Sequence, residues 1–194
     1  MTLSGSPLQA LLVVDVQSAF VSGAGAVPGA ALLLDRTTGL IARARASGAL
    51  VVHIQNDGPT GAGDEPHTPG WELHLPVGTG PGESVVRKSQ DDGFEGTTLG
   101  GLLVGHGVRG LVVCGLMSEM CVQATARGAL ARDYRVVLPY DAHATYNIPA
   151  ARGISEEIPA AAASRVAAWA ISNEAEVTTA AADVTFAPLL PPVR

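Results

Sequence analysis

Apolar runs alternate with helix-like patterns through most of the chain, and this alternation predicts the fold. Strands are predicted near residues 10–15, 49–55, 84–87, 109–114, 134–138 and 175–179, and helices near 30–47, 97–106, 120–132 and 156–172. The strand segments are continuously apolar, which is typical of parallel strands covered on both faces. The pattern therefore predicts an α/β fold: one doubly wound, mainly parallel sheet flanked by helices, in a single domain over residues 1–194.

One long segment, residues 56–82, departs from this alternation. It is rich in Gly and Pro and contains Trp71, one of two tryptophans in the chain. A connection of this length inside a compact domain is usually functional or disordered. We therefore predict that the segment forms an ordered lid over a pocket.

The composition is that of a globular protein in a reducing compartment. At 194 residues, with 47% hydrophobic and 15% charged residues, the chain can build one full-sized core. Two cysteines give no disulfide framework, no Lys or Arg precedes Arg36, and no apolar run is long enough to span a membrane. The sequence thus predicts a cytoplasmic protein without a secretory signal and with no membrane partner.

The net charge of −6 comes from one region of the chain. Residues 56–95 contain eight acidic residues against Arg87 and Lys88, whereas the remainder has ten acidic residues and ten arginines. The excess either serves solubility or forms an acidic rim that attracts a cationic ligand. In either case it disfavours nucleic acid as a partner.

Three residues with complementary chemistry lie where predicted strands end or a predicted helix begins. Asp15 closes the first strand, and Lys88, the only lysine in the chain, follows a later one. Cys121 lies in the first turn of a helix, where unpaired N–H groups and the helix dipole favour a thiolate. Taken singly, Asp15 is typical of a turn residue, Lys88 of a surface charge and Cys121 of a buried core thiol. Cys114, in the middle of a predicted strand, fits the role of a core thiol. Because the carboxyl ends of parallel strands share one edge, together they predict a cysteine nucleophile with a carboxylate and a cation.

Other motifs lack the context that their chemistry requires. The run Gly23–Gly29 contains Pro28 and does not open a helix directly from a strand, as a dinucleotide loop would. A P-loop needs Gly before its lysine, and this chain has Arg87 there. The five histidines form no close pair of the kind that binds a metal. No metal and no cofactor is therefore predicted.

Three segments carry a resemblance to a known family. VVDVQ with Asp15, VVRKSQDDGF with Lys88 and VVCGLMSEMCV with Cys121 resemble the signatures of the isochorismatase-like cysteine hydrolases. The resemblance runs from about residue 9 to 145 and includes the stretch 141–143, Asp-Ala-His. It implies a six-stranded parallel sheet and amide hydrolysis through a thioester. Asp15 would then be the general base and acid, Lys88 the cation and Cys121 the nucleophile.

The resemblance also implies how the site is completed. The peptide bond between Leu116 and Met117 would be cis, and the N–H groups of Met117 and Cys121 would form the oxyanion hole. Side chains near the motifs would contact a small-molecule amide substrate: Gln17, Phe20, Trp71, Phe94, Ser118 and Glu119. Relatives assemble as homodimers or homotetramers, so the same is expected here.

Differences from relatives narrow the expected reaction. True isochorismatases lack the cysteine and cleave a vinyl ether, so Cys121 favours hydrolysis of an amide or lactam. The acidic rim favours a cationic substrate. Nicotinamidases hold a metal partly with an Asp-x-His pair after the second strand, where residues 55–58 read Gln-Asn-Asp-Gly. The alternatives left open are a nicotinamidase or other small-amide hydrolase, a non-catalytic α/β binding module, and a redox protein using Cys114 and Cys121.

Overall fold

Residues 6–189 are described by the computed structural model, in which six strands form one sheet. The strands are β1 (Ala10–Val14), β2 (Leu50–Asn56), β3 (Glu83–Lys88), β4 (Gly110–Leu116), β5 (Arg135–Val137) and β6 (His143–Ala144). The helices are α1 (Ser18–Val21), α2 (Ala30–Ser47), α3 (Leu99–Gly105), α4 (Gln123–Leu130) and α5 (Ala160–Trp169), with short helical turns at Gly23–Gly25, Ser118–Val122 and Ala181–Asp183. The order across the sheet is β3-β2-β1-β4-β5, with β6 paired to β4, and all these pairings are parallel.

The central strands are buried because helices cover both faces of the sheet. Successive side chains of a strand point to opposite faces. Leu12 of β1 accordingly packs with apolar residues of α3 and α4, and Leu11 packs with apolar residues of α2. Every residue of β1 and β4 is buried. The predicted doubly wound, parallel sheet is confirmed.

The sixth strand differs from the prediction. Within the segment 175–179 only Glu176 forms a bridge, to Val137, so the strand predicted there is wrong. The sixth strand is β6, which pairs with the end of β4. At two residues it is too short to leave an apolar run that sequence patterning could detect.

Two helices begin later than predicted, for local reasons. Helix α5 begins at Ala160 rather than near 156, because the residue before Pro159 is biased towards extended backbone. Helix α4 begins at Gln123, after a turn in which Met120 leaves the helical dihedral angles. The bounds of α2 match the prediction, and Gly48 ends it in a left-handed conformation. Within residues 6–189 the helices are all too short or too polar to cross a membrane.

The irregular segment 57–82 folds back against the residues that follow β1. The Ser18 N–H donates to the Glu72 carbonyl, and the His74 N–H donates to the Val16 carbonyl, both at 2.9 Å. A single antiparallel bridge also joins this segment to the chain just after Asp15. These bonds place the segment beside the carboxyl end of β1.

Candidate active site

Three side chains from distant parts of the sequence meet at the carboxyl edge of the sheet. Asp15 follows β1, Lys88 ends β3, and Cys121 lies in the turn Ser118–Val122, called here the 118–122 turn. Lys88 Nζ is 2.9 Å from Asp15 Oδ2 and 3.2 Å from Cys121 Sγ. A third bond, 3.1 Å long, joins Nζ to Asn56 Oδ1. The Lys88 side chain is 0% exposed, so its three N–H donors are matched by three partners in the interior.

The backbone at Asp15 explains how its carboxylate reaches Lys88. Asp15 has a φ of 51°, in the left-handed region that Asp adopts more readily than most residues. Its N–H donates to the Ile54 carbonyl of β2 at 2.9 Å, so the turn stays attached to the neighbouring strand. The chain thus turns sharply at the end of β1 and leaves the carboxylate in the interior.

Gly115 allows the strand that leads to Cys121 to lie against β1. Its φ is 121°, and a Cβ atom there would lie 2.0 Å from the Val14 carbonyl oxygen, so no other residue fits. The peptide bond before Met117 is cis. Met120 (φ −111°, ψ −108°) then interrupts the helical path. Cys121 and Val122 follow this interruption and lead into α4, which begins at Gln123.

Burial and the neighbouring charges shift the pKa values of all three side chains. Burial raises the pKa of Asp15 and outweighs the attraction of Lys88. Burial lowers the pKa of Lys88, but the charges of Asp15 and Cys121 outweigh it, so the net shift is upward. Burial and the Asp15 carboxylate raise the pKa of the Cys121 thiol more than Lys88 lowers it. Lys88 therefore acts on the thiol pKa in the predicted direction, and burial opposes it.

One carboxylate oxygen of Asp15 is available to accept a proton. Oδ2 bonds to Lys88, whereas Oδ1 is buried and has no hydrogen-bond partner among residues 6–189. Such an unpaired buried oxygen is costly to stability and uncommon in folded proteins. Its presence beside a thiol is what a proton-accepting group requires.

Asn56 and Asp64 support Lys88, and sequence analysis missed both of them. Asn56 Nδ2 donates to Asp64 Oδ2 at 2.6 Å, while Asn56 Oδ1 accepts from Lys88. Gln17, predicted to contact substrate, is buried and instead bonds the backbone of Asn56 and Trp71. Asn56 ends β2, which lies between β1 and β3, the strands that lead to Asp15 and Lys88. This position at a strand end was the sequence signal that could have identified Asn56.

Phe94 and Ser118, also predicted to contact substrate, are parts of the interior. Phe94 is 6% exposed and stacks on Tyr134 with a ring-centroid distance of 6.3 Å. Ser118 Oγ lies 2.8 Å from both His143 Nδ1 and Ser164 Oγ. Phe94 belongs to the core cluster against which Cys121 packs, and Ser118 has no hydrogen bond to the triad among the described residues. The bonds of Ser118 attach the 118–122 turn to β6 and α5.

Trp71, Phe20 and Glu119 keep part of their surface accessible. Trp71 Nε1 donates to Asp57 Oδ1 at 2.9 Å, and Arg87 Cζ lies 5.0 Å from the Trp71 ring centroid. Phe20 is half-buried against the core beneath α2, and Glu119 is exposed. These three residues stay predicted substrate contacts.

A small polar cavity borders the triad, and a larger apolar one does not. The small cavity, of about 360 Å³, is lined by Asp57, residues 87–90, Glu95 and Gly96, and Lys88 is the triad residue among them. The larger cavity, of about 720 Å³, lies between α2 and α5, and Asp15, Lys88 and Cys121 are not among its lining residues. No group of three or more His, Cys, Asp or Glu side chains gathers as a metal site within the described residues.

Comparison with known proteins identifies the family. An isochorismatase domain model matches residues 9–181. Two streptothricin hydrolases of Streptomyces noursei are 66% and 65% identical, over 95% and 93% of this chain and 67% and 72% of their own lengths. The crystal structure of a cysteine hydrolase from Pseudomonas syringae pv. phaseolicola 1448A matches with a TM-score of 0.80 and 26% identity, covering 92% of this chain and 91% of that one.

The chain therefore belongs to the isochorismatase family, and it is a hydrolase. The predicted family is confirmed by the domain match and by the fold of its structural relatives.

Proposed function

We propose that this protein hydrolyses an amide or lactam C–N bond of a small cationic molecule through a thioester on Cys121. The observation that carries the proposal is the position of Lys88 Nζ, 2.9 Å from Asp15 Oδ2 and 3.2 Å from Cys121 Sγ. One buried ammonium thus holds a proton acceptor and a nucleophile together. The 66% identity to a streptothricin hydrolase supports a streptothricin-type lactam as the substrate class.

In the first half-reaction, Cys121 attacks the carbonyl carbon and its proton passes to Asp15. Because the thiol pKa is raised, the proton leaves as the C–S bond forms rather than beforehand. Asp15 Oδ1 is the free acceptor, and the Lys88 charge stabilises the sulfur as it becomes anionic. The C–N bond then breaks as Asp15 returns the proton to nitrogen, because an amine anion is a poor leaving group.

Backbone donors stabilise the oxyanion that forms during this attack. We assign this role to the N–H groups of Met117, which precedes the 118–122 turn, and of Cys121, which lies within it. Such a donor contributes roughly 3–4 kcal/mol to transition-state stability where one has been removed from other enzymes.

In the second half-reaction, water replaces the sulfur. Asp15 accepts a proton from the water, the resulting oxygen nucleophile attacks the thioester, and the C–S bond breaks. The proton returns to Cys121, which regenerates the thiol. An amide gives an acid and an amine, whereas a lactam gives both groups on one opened molecule, heavier by one water.

Turnover of a streptothricin-type lactam tests the proposal, with nicotinamide as the neutral comparison amide. Mass spectrometry should detect the ring-opened product, and Cys121→Ala should abolish its formation. The matched control is Cys114→Ala, which should keep most activity because Cys114 is 0% exposed and burial raises its pKa to about 12. Unchanged turnover in Cys121→Ala, or preference for nicotinamide over the lactam, would contradict the proposal.

A further inference from the structure

A second carboxylate, that of Asp91, lies beside the sulfur of Cys121. The Cys121 thiol donates to Asp91 Oδ1 with an Sγ–Oδ1 distance of 3.6 Å, and Asp91 is exposed. Asp15, by contrast, is 3% exposed and bonded to Lys88. The sulfur therefore lies between one carboxylate in the interior and another that faces solvent.

The backbone at Asp91 is attached to the same helical run that carries Cys121. Thr125 lies one helical turn beyond Cys121, and its Oγ1 donates to the Asp91 carbonyl at 3.5 Å. The same hydroxyl accepts the Gly93 N–H at 2.9 Å. A Cβ atom at Gly93 would lie 2.9 Å from Ile54 Cδ1, so glycine lets the loop approach this closely. These contacts place the backbone of Asp91 beside the helical run that carries Cys121.

Two acidic residues near Asp91 have other partners, so the members of the predicted acidic rim are not equivalent. Asp57 pairs with Arg87 at 2.8 Å. Asp92, next to Asp91, uses its Oδ1 to accept the Phe94 N–H at 2.9 Å. Within residues 6–189 no Lys, Arg or His side chain forms an ion pair with Asp91. Its negative charge is therefore available to a ligand.

We propose that Asp91 is a specificity-determining residue that selects substrates with a positive charge close to the scissile carbonyl. This inference rests on the proposed function, since it takes Cys121 as the attacking group. A cationic group paired with Asp91 would lie beside the carbon that the sulfur attacks. Attraction between opposite charges falls with distance and, at an exposed site, with salt. Asp91 therefore favours cationic over neutral amides most strongly at low ionic strength.

The first test uses thiol reagents of different charge, so it needs no substrate. The cationic 2-(trimethylammonio)ethyl methanethiosulfonate and the neutral methyl methanethiosulfonate each form a disulfide with Cys121 and release methanesulfinate. Asp91→Asn should lower the ratio of the cationic to the neutral rate by roughly three- to tenfold at low salt. The ratio cancels any change in thiol reactivity that the substitution causes. Peptide mass mapping identifies the labelled cysteine, since Cys114 is 0% exposed.

Glu72→Gln is the matched control, because it removes one negative charge from an exposed residue of the same acidic region, 56–95, that does not line the cavity at Lys88. It should leave the rate ratio almost unchanged. Equal ratios in the unmodified protein and in Asp91→Asn would overturn the inference. An equal fall in Asp91→Asn and Glu72→Gln would also overturn it, because the effect would then come from the general field of the acidic region.

The second test measures turnover of a cationic lactam and a neutral amide. Asp91→Asn should lower kcat/KM for the cationic substrate by a factor similar to the reagent ratio, and should leave the neutral substrate within about twofold. A fall of equal size for both substrates would overturn the selectivity role. The two proposals can fail separately. If the ratio of reagent rates depends on Asp91 but the protein opens no lactam, the local charge effect is supported and the proposed function is refuted.

Discussion

Two buried ionic clusters involve strands β2 and β3, and they differ in how completely their polar atoms are paired. In the first, Glu83 accepts bonds from His53 Nε2 at 2.7 Å and from Arg45 Nη2 and Nε at 2.7 and 2.8 Å. In the triad, Asp15 bonds to Lys88 through Oδ2, while Oδ1 has no partner among the described residues. One cluster is saturated with hydrogen bonds and the other is not.

This difference separates a structural role from a chemical one. Although burial opposes it, the bonds from Arg45, Gly78 and His53 lower the pKa of Glu83 to about 2. Burial lowers the pKa of His53, so this histidine stays neutral near pH 7. Both carboxylate oxygens of Glu83 accept hydrogen bonds. Asp15 has a raised pKa and an unpaired oxygen, which are the properties of a group that moves a proton.

Replacing Lys88 should have the largest effect, because this residue joins the other two members of the triad. Lys88→Met should lower kcat/KM by about 10³-fold, the size typical of a lost electrostatic contact in a transition state. In Lys88→Met the Cys121 thiolate, followed by its ultraviolet absorbance, should also form at higher pH, since Lys88 lowers the pKa of Cys121.

Lys88→Arg is the matched variant that keeps the charge. It should rescue activity poorly, because a forked guanidinium does not fit where a point charge bonds three partners. Thermal unfolding checks that both variants fold. If the folded Lys88→Met protein kept a tenth or more of normal activity, the triad would not differ from the Glu83 cluster in having a chemical role.

Asp15→Asn should lower kcat/KM by about 10²–10⁴-fold, the usual contribution of a positioned acid–base group. In the unmodified protein, kcat/KM should rise with pH through the raised pKa of Asp15, because only the ionised carboxylate accepts the thiol proton. This rise lies above pH 4, where an ordinary Asp titrates. A pH–rate profile with the same acid limb in Asp15→Asn would show that another group is the base.

Glu83→Gln should affect stability and leave turnover within about twofold. The variant should lose roughly 1–3 kcal/mol of unfolding free energy at neutral pH, the cost of unpairing buried polar groups. The folded pKa of about 2 lies below the ordinary 4.5, so the contribution is present above pH 4.5 and is lost as the pH falls towards 2. Urea unfolding at several pH values measures this. A large fall in kcat in the folded variant would mean that the saturated cluster also acts in catalysis.

Metal removal should have the smallest effect. Exhaustive chelation should leave activity within about twofold, because proton transfer and thiol attack need no Lewis acid. At the end of β2, where a nicotinamidase would have its Asp-x-His pair, Asn56 bonds Lys88 and Asp57 bonds Arg87. Activity that is lost on chelation and restored by zinc or manganese would favour the nicotinamidase alternative.

The fold and the three triad positions could be predicted because they depend on local patterns and on one rule of topology. Continuous apolar runs identified β1 to β5, and parallel strands share their carboxyl edge. Asp15, Lys88 and Cys121 each stand at such an edge. The raised thiol pKa could not be predicted in the same way, because burial at Cys121 depends on packing across the whole edge.

The surroundings of the triad were less predictable because they depend on where each side chain points. Gln17 and Ser118 lie close in sequence to the triad residues, yet both are buried and bond other parts of the protein. Phe94 packs into the core under α4. Asn56 has a strand-end position like that of Lys88, but an amide carries no chemistry that separates it from an ordinary turn residue.

The most direct test of the central claim is to trap the acyl group on the protein. A substrate amide is mixed with the protein, quenched in acid within one turnover, and followed by intact mass and peptide mapping. We expect an adduct on the peptide that contains Cys121, with the mass of the acyl group for an amide or of the whole molecule for a lactam. Hydroxylamine should release it as a hydroxamate, and Cys121→Ala should form none. Turnover with no adduct and no hydroxamate, or an adduct on Cys114, would show that Cys121 is not the nucleophile.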